Sequence, residues 1–225
     1  MSAAWADIWP PFGLSLSLGP VEMHPVRFDD IPPLIDLLSA GIVADGVTLS
    51  PVGGDFGVGE YTPKKQRESL AFWCSRYGTS TPEKWQFPLA VSRDGELVGV
   101  QDFWADSFPK VRSITSGSWL GYVHQGNGTG TLMRQALAMF AFDHLDAREL
   151  LSEAFASNEA SNAVSLKVGY QPNGARLRER GDGAEQLNVW RLTPETLNRP
   201  NLPLEVDGLD PFLELLGLAG QDEPA

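Results

Sequence analysis

Three glycines at two-residue spacing, Gly126, Gly128 and Gly130, stand in the run Gln125-Gly126-Asn127-Gly128-Thr129-Gly130. They follow a stretch that reads as a strand, residues 113–123, and open a helical period carried by Met133, Ala136, Leu137, Phe140 and Ala141. A strand that empties through glycines into a helix presents backbone N–H groups at the positive end of the helix dipole, an arrangement suited to phosphate. Without side chains the loop can wrap a pyrophosphate, and Asn127 and Thr129 add donors, although the same pattern also serves as plain turn geometry. Two nucleotide loops are excluded by their own requirements. A P-loop needs Gly-Lys-Ser/Thr, and no lysine falls between Lys110 and Lys167. A dinucleotide fingerprint needs Gly-x-Gly-x-x-Gly at the start of a parallel sheet, and here the spacing differs and a hairpin comes first.

The elements that must position this loop can be read on both sides of it. Residues 21–28 read as a strand, and Asp29-Asp30 before Ile31-Pro32-Pro33 as a helix start with buried positions Ile31, Leu34, Ile35 and Leu38. Residues 41–62, with Gly53, Gly54, Gly57 and Gly59, read as a long mobile loop of the kind that binds something. A helix resumes over residues 63–77 through Leu70, Trp73 and Tyr77. Strands over residues 87–92 and 97–104 flank Arg93-Asp94-Gly95-Glu96, where Asp-Gly signals a tight hairpin. After the glycine loop and its helix come a strand at 149–156, a helix at 158–168 stopped by Gly169-Tyr170, and strands near 170–178 and 186–192 joined through Gly181-Asp182-Gly183. The whole is a mixed α/β (α+β) pattern. Residues 1–20, rich in aromatics, read as an N-terminal arm, 21–193 as the domain, and 194–225 as a tail with a short helix at 211–216.

The motif run Gln125-Gly126-Asn127-Gly128-Thr129-Gly130 resembles the acyl-CoA pyrophosphate loop of the GNAT N-acyltransferases, Gln/Arg-x-x-Gly-x-Gly/Ala, at the matching strand-to-helix junction. Trp119-Leu120 before it, and Asn158-Glu159-Ala160-Ser161 and Lys167-Val168-Gly169-Tyr170 after it, resemble the branch of ribosomal-protein N-terminal acetyltransferases. The run Ser116-Gly117-Ser118-Trp119-Leu120-Gly121, with Thr131 and Met133-Arg134, is similar to a bacterial subgroup that includes users of succinyl-CoA. The resemblance covers about residues 21–192. It implies a mixed, mostly antiparallel central sheet flanked by helices and splayed at the cofactor strand by a bulge near Leu120 and Gly121, where the pantetheine arm pairs like an extra strand. It further implies a CoA ester with its pyrophosphate on residues 126–130, Gln125 at the border, and no metal.

The chemistry so implied is attack of a neutral amine on a thioester, which needs a base, an oxyanion donor and an acid for the departing thiolate. In the branch that the chain resembles, an Asn-x-x-Ser pair opens the helix after the fifth strand, the Asn on the pantetheine arm and the Ser near the sulfur. Asn158 and Ser161 occupy those places, although Ser157 or Asn158 equally suits an N-cap and Ser161 a polar first turn. Where many GNAT enzymes carry a Tyr four residues before the Gly-aromatic stop, this chain has Ser165, which favours Ser161 as the acid. A backbone N–H near Leu120 is the expected oxyanion donor. The base stays open among Glu153, Asp102, His124 and a water chain. Trp73, Tyr77, Trp85 and Trp104 are candidates either for an acceptor pocket or for the core.

Composition narrows the partners. Seventeen Lys and Arg against 29 Asp and Glu give a net charge of −12, which repels polyphosphate backbones and argues against nucleic acid. A lone Cys74 and three histidines leave little for a disulfide or a zinc site and fit a reducing cytoplasm. No apolar run approaches the ~18 residues of a membrane span, and the first basic residue is Arg27, so neither insertion nor export is expected. The reading that results is an N-acyltransferase using acetyl-CoA or succinyl-CoA on a small-molecule or peptide amine. A non-catalytic acyl-CoA-binding module, transfer from a carrier-protein thioester, and a homo-oligomer built through the two ends are the other readings.

Overall fold

The structure is a computed structural model, and it describes residues 4–219. In chain order the helices are α1 (Trp5–Ile8), α2 (Ile31–Ala40), α3 (Pro63–Thr79), α4 (Phe108–Val111), α5 (Thr129–His144), α6 (Glu159–Val168) and α7 (Leu209–Leu215). The strands are β1 (Ser15–Leu18), β2 (Val21–Pro25), β3 (Lys84–Arg93), β4 (Glu96–Asp106), β5 (Ser113–Leu120), β6 (Glu149–Phe155), β7 (Gln171–Arg180), β8 (Gly183–Leu192) and β9 (Leu204–Asp207). All nine strands join one sheet in the order β7-β8-β6-β5-β4-β3-β2-β1-β9. Every neighbouring pair is antiparallel except β5 and β6.

Alternation along the strands sends side chains to two separate cores. Phe87, Leu89 and Val91 of β3 and Phe103 and Ala105 of β4 pack in the cluster that holds Met133, Leu137 and Phe140 of α5. Ala90 and Val100 point the other way and meet Leu34 and Leu38 of α2 and Trp73 of α3. The sheet is therefore covered on both faces, and the site elements lie on opposite sides of it. The Asp94-Gly95 hairpin forms as expected, with φ of 51° and 81° at its two central residues, the mirror-image turn that matches strand twist.

The expected bulge near Leu120 and Gly121 is not there. Residues 115–120 of β5 pair with β4 in unbroken register. The extra residue sits one strand over: Val91 faces Gly99 and Ser92 faces Leu97, leaving Val98 bulged, and its carbonyl accepts from Gly121 N–H at 2.9 Å. Gly99 permits this crowding, since a Cβ there would overlap Trp119 O. The sheet opens instead where β6 changes partner. Residues 113–116 of β5 pair with residues 149–152 of β6, and beyond Ser152 the β6 strand continues only with β8. Residues 117–120 thus keep β4 on one side and lose β6 on the other.

Both chain ends contribute to the sheet. Within residues 1–20, Ser15-Leu16-Ser17-Leu18 alternates and forms β1 with Leu16 and Leu18 buried. In the tail, β9 pairs with β1, and Phe212 of α7 inserts among Phe87 and Phe140. Among the described residues no helix is long and apolar enough to cross a membrane, and no cluster of His, Cys, Asp or Glu could hold a metal ion.

Candidate active site

Gly126 and Gly128 have φ of 79° and 81°, a left-handed backbone that L side chains rarely adopt, and a Cβ on either would meet nothing within 4 Å. These two glycines are demanded by the turn rather than by crowding. Gly130, inside the first turn of α5, is different: a Cβ there would make ordinary contact with Val164 at 3.7 Å. The amides of residues 126–130 donate to no acceptor among the described residues, while Thr131 and Leu132 N–H close back on Gly128 O at 3.1 Å. Five backbone donors without a protein acceptor thus cluster at the N-terminus of a 16-residue helix, those of residues 126–128 on exposed residues.

The loop is held by Arg93, which sequence reasoning did not single out, and by Gln125, which it placed at the loop's border. Arg93 Nη1, at the end of β3, donates to Asn127 O at 2.9 Å and to Thr129 Oγ1 at 3.1 Å. Thr129 is buried, and its hydroxyl oxygen takes this contact. Gln125 Nε2 donates to Ile42 O at 2.8 Å and Leu120 O at 3.0 Å, tying the end of β5 to the chain leaving α2. Nothing local in the sequence links Arg93 to a loop more than thirty residues on; the hairpin and the sheet bring them together.

Asn158 caps α6, its Oδ1 accepting from Ser161 N–H at 3.1 Å, while its Nδ2 donates to Pro51 O at 3.3 Å in the long loop. Ser161, in the first turn of α6, is partly exposed. Arg134 of α5, buried, donates through Nη2 to Ser161 Oγ at 2.9 Å and to Ser118 Oγ of β5 at 3.4 Å, and through Nη1 to Ser165 Oγ at 2.9 Å. No carboxylate among the described residues pairs with Arg134, and burial pushes its guanidinium pKa down. The sequence carried Arg134 only within the Met133-Arg134 resemblance, with no role attached to it.

On the opposite face of the sheet lies a chamber of about 390 Å³ between α3, residues 52–61 and strands β3 to β5. Trp73 and Trp104 line it, as do Gly117, Ser118 and Trp119 of the unpaired stretch of β5. Tyr77 and Trp85 do not. The Tyr77 ring packs on Phe12 and Phe28 while its hydroxyl donates to Val26 O, and Trp85 is buried against Phe87, Phe103 and Phe108. The loop over residues 41–62 carries no helix or strand, yet it is pinned by Lys65 Nζ on Asp55 and Val58 carbonyls and by Asn158 on Pro51.

Of the three candidate bases, Glu153 is engaged by Arg176 at 2.7 Å and His124 sits in a turn beside Gly121. Asp102 lines the chamber. Its Oδ2 accepts from Gln86 Nε2, its Oδ1 is buried with no partner among the described residues, and burial pushes its pKa up to about 7.

The profile of the family described as "Acetyltransferase (GNAT) domain" matches residues 21–171. The chain is a GNAT acetyltransferase. Its fold is shared with solved members. Mycobacterium smegmatis RimJ in complex with CoA-disulfide superposes with a TM-score of 0.67 at 18% identity, over 91% of this chain and 94% of that one. The Salmonella typhimurium acetyltransferase that modifies the N-terminal serine of ribosomal protein L7/L12 gives 0.61 at 17%, over 78% and 95%. A GNAT-family acetyltransferase of Bacillus anthracis gives 0.62 at 15%, over 80% and 99%. The open amides and left-handed glycines of residues 126–130 fit the diphosphate of a CoA ester, the group that GNAT enzymes use, and the parted edge of β5 leaves room for an extended arm.

Proposed function

We propose that this acetyltransferase moves the acyl group of acetyl-CoA or succinyl-CoA directly to a primary amine seated in the chamber between α3 and the sheet. The observation that carries the reading is the span of Arg134: one guanidinium reaches Ser118, which walls the chamber, and Ser161 in the first turn of α6. An acceptor in the chamber and a donor along β5 therefore meet beside Ser161. An acyl-CoA supplies a carbonyl already activated as a thioester.

The chain's own residues have three tasks. The amides of residues 126–130 hold the diphosphate, with Gln125 and Arg93 fixing the loop and Leu120 at the end of the open strand edge. Asn158 orients the start of α6 and Ser161 donates its hydroxyl proton toward the departing sulfur. Because Arg134 has only donors, the Ser161 oxygen must accept from it, which leaves the hydroxyl proton free to point outward. A peptide N-terminus is one such amine, in keeping with the ribosomal-protein substrate named for the Salmonella neighbour.

The test is thiol release from acetyl-CoA and succinyl-CoA against a panel of amines and N-terminal peptides. Free CoA appearing only when an acceptor is present supports the proposal. CoA binding without any acceptor-dependent release would sink it.

A further inference from the structure

The walls of the chamber are rich in aromatic rings, with Phe56, Tyr61, Phe72, Trp73, Trp104 and Trp119 all contributing. Its charges are mostly spent on one another. Lys65 pairs with Asp55 at 3.1 Å, and Glu68 with Lys64 at 3.7 Å on the exposed side of α3. Asp102 on β4 is the exception. Gln86 Nε2 of β3 holds its Oδ2, and Arg76 Nη1 of α3 fixes Gln86 in turn through Oε1 at 2.8 Å, but Asp102 Oδ1 has no donor among the described residues. The β5 residues facing it, Gly117 and Ser118, carry no charge. A buried carboxylate oxygen left unpaired is costly and uncommon, and one at a cavity wall leaves a place for a donor brought by a ligand.

We propose that the chamber takes a compact aliphatic ammonium and that Asp102 is the carboxylate that receives its proton, delivering the neutral amine to the donor. This rests on the acyl-transfer reading above. Ring faces attract a cation, Asp102 offers the one carboxylate there without a cationic partner, and 390 Å³ lies at the small end of ligand cavities, which run to about 1,000 Å³. Burial raises the carboxyl against the opposing pull of Gln86, Arg76 and the Phe103 backbone N–H, so that it gains and loses a proton near neutrality, where a base is most effective.

The step balances without a further reactant. One proton passes from the ammonium nitrogen to the Asp102 carboxylate, and the freed lone pair forms the N–C bond to the acyl carbon as the C–S bond breaks. Ser161 protonates the departing sulfur and is itself reprotonated by the surplus proton of the new amide nitrogen, and Asp102 returns its own to water. An amine that is already uncharged at pH 7 has no need of the first transfer.

The experiment compares the full chain with Asp102→Asn on two acceptors, a strongly basic alkylamine and a weakly basic one whose electron-withdrawing substituent leaves it neutral at pH 7. For the alkylamine, kcat/KM of the unaltered enzyme should rise through about pH 7. The Asn variant should lose this limb and about 100-fold in rate at neutrality, and recover most of it with the weakly basic amine. CoA affinity, measured by calorimetry, should be unchanged. An equal loss on both amines, or an unaltered profile, overturns the assignment. Should Asp102→Asn fail to bind CoA, Asp102→Glu is judged on the same ratio between amines. If the unaltered enzyme acylates no amine at all, acyl transfer itself fails and the role of Asp102 falls with it.

Discussion

Arg134 Nη2 lies 2.9 Å from Ser161 Oγ, and the same guanidinium reaches Ser165 Oγ at 2.9 Å and Ser118 Oγ at 3.4 Å. A buried cation held by three hydroxyls instead of a carboxylate is an expensive way to fill a core. The arrangement does something a neutral side chain would not. It occupies the acceptor capacity of Ser161, and its positive charge favours release of the hydroxyl proton. Ser165 completes the network by donating to Ser161 O at 3.0 Å.

Ser161→Ala should lower kcat by about 100-fold, at the lower end of what a general acid supplies, with CoA affinity unchanged. Arg134→Met should lower kcat in the same direction. If the two act as one unit, the double variant falls little below Ser161→Ala alone, and a double-mutant cycle in kcat reads that coupling directly. Additive losses would separate Arg134 from Ser161.

Gly128→Val and Gly130→Ala make a matched pair in the cradle. Valine at a φ of 81° carries strain of about 1–2 kcal/mol and places a branched side chain among the amides, while its Cβ meets no other atom within 4 Å. Loss of one charge-assisted contact of about 1.5–3 kcal/mol corresponds to roughly a 10- to 100-fold weaker Kd for CoA. Alanine at position 130 makes ordinary contact with Val164 at 3.7 Å and Leu120 at 4.0 Å and should bind CoA normally. Calorimetry on both variants checks the contrast.

The raised pKa of Asp102 also has a sign for stability. Between the ordinary value of 3.8 and about 7 the folded protein keeps a proton that the unfolded chain has released. Stability from this group is therefore full below pH 3.8 and is lost as pH rises through 7. Asparagine does not titrate. Asp102→Asn should thus be more stable than the unaltered protein at pH 8 by about 2–4 kcal/mol, with the gap closing toward pH 4. Urea unfolding at the two pH values measures it, and a gap independent of pH would show that the carboxyl titrates normally.

Gly169→Ala tests how the tail is docked. Gly169 ends α6 with φ at 107°, and a Cβ there would overlap Thr196 O. Asn198 N–H donates to Val168 O at 2.8 Å beside it, so the neighbouring backbone is held in place. A loss above about 3 kcal/mol in urea unfolding is expected, well beyond an ordinary surface substitution.

Much of this molecule was legible in short windows of sequence. The hairpin at Asp94-Gly95, the α5 face through Met133, Leu137 and Phe140, and the stop at Gly169 depend on residues within a turn or two of each other. So does the glycine cradle. The short pieces were harder: four residues of β1 and four of β9 are each too brief to stand out, and each exists because the other completes the edge of the sheet. The bulge was assigned to the wrong strand because its place is set by pairing, and Val98 and Leu120 are adjacent only across β4 and β5.

The order of residues alone determined that a glycine turn at residues 126–130 leads into a helix, that the chain alternates helices with a mostly antiparallel sheet, and that Asn158 and Ser161 begin a helix. These follow from backbone preferences, which act locally. Only the tertiary structure decided that Arg134 stands behind Ser161, that Arg93 clamps the loop, and that Asp102 rather than Glu153 or His124 lines an aromatic chamber. Those outcomes depend on which strand lies beside which, and on water being driven from between them. Burial of this kind gives an arginine and an aspartate properties that no neighbour in sequence could foretell.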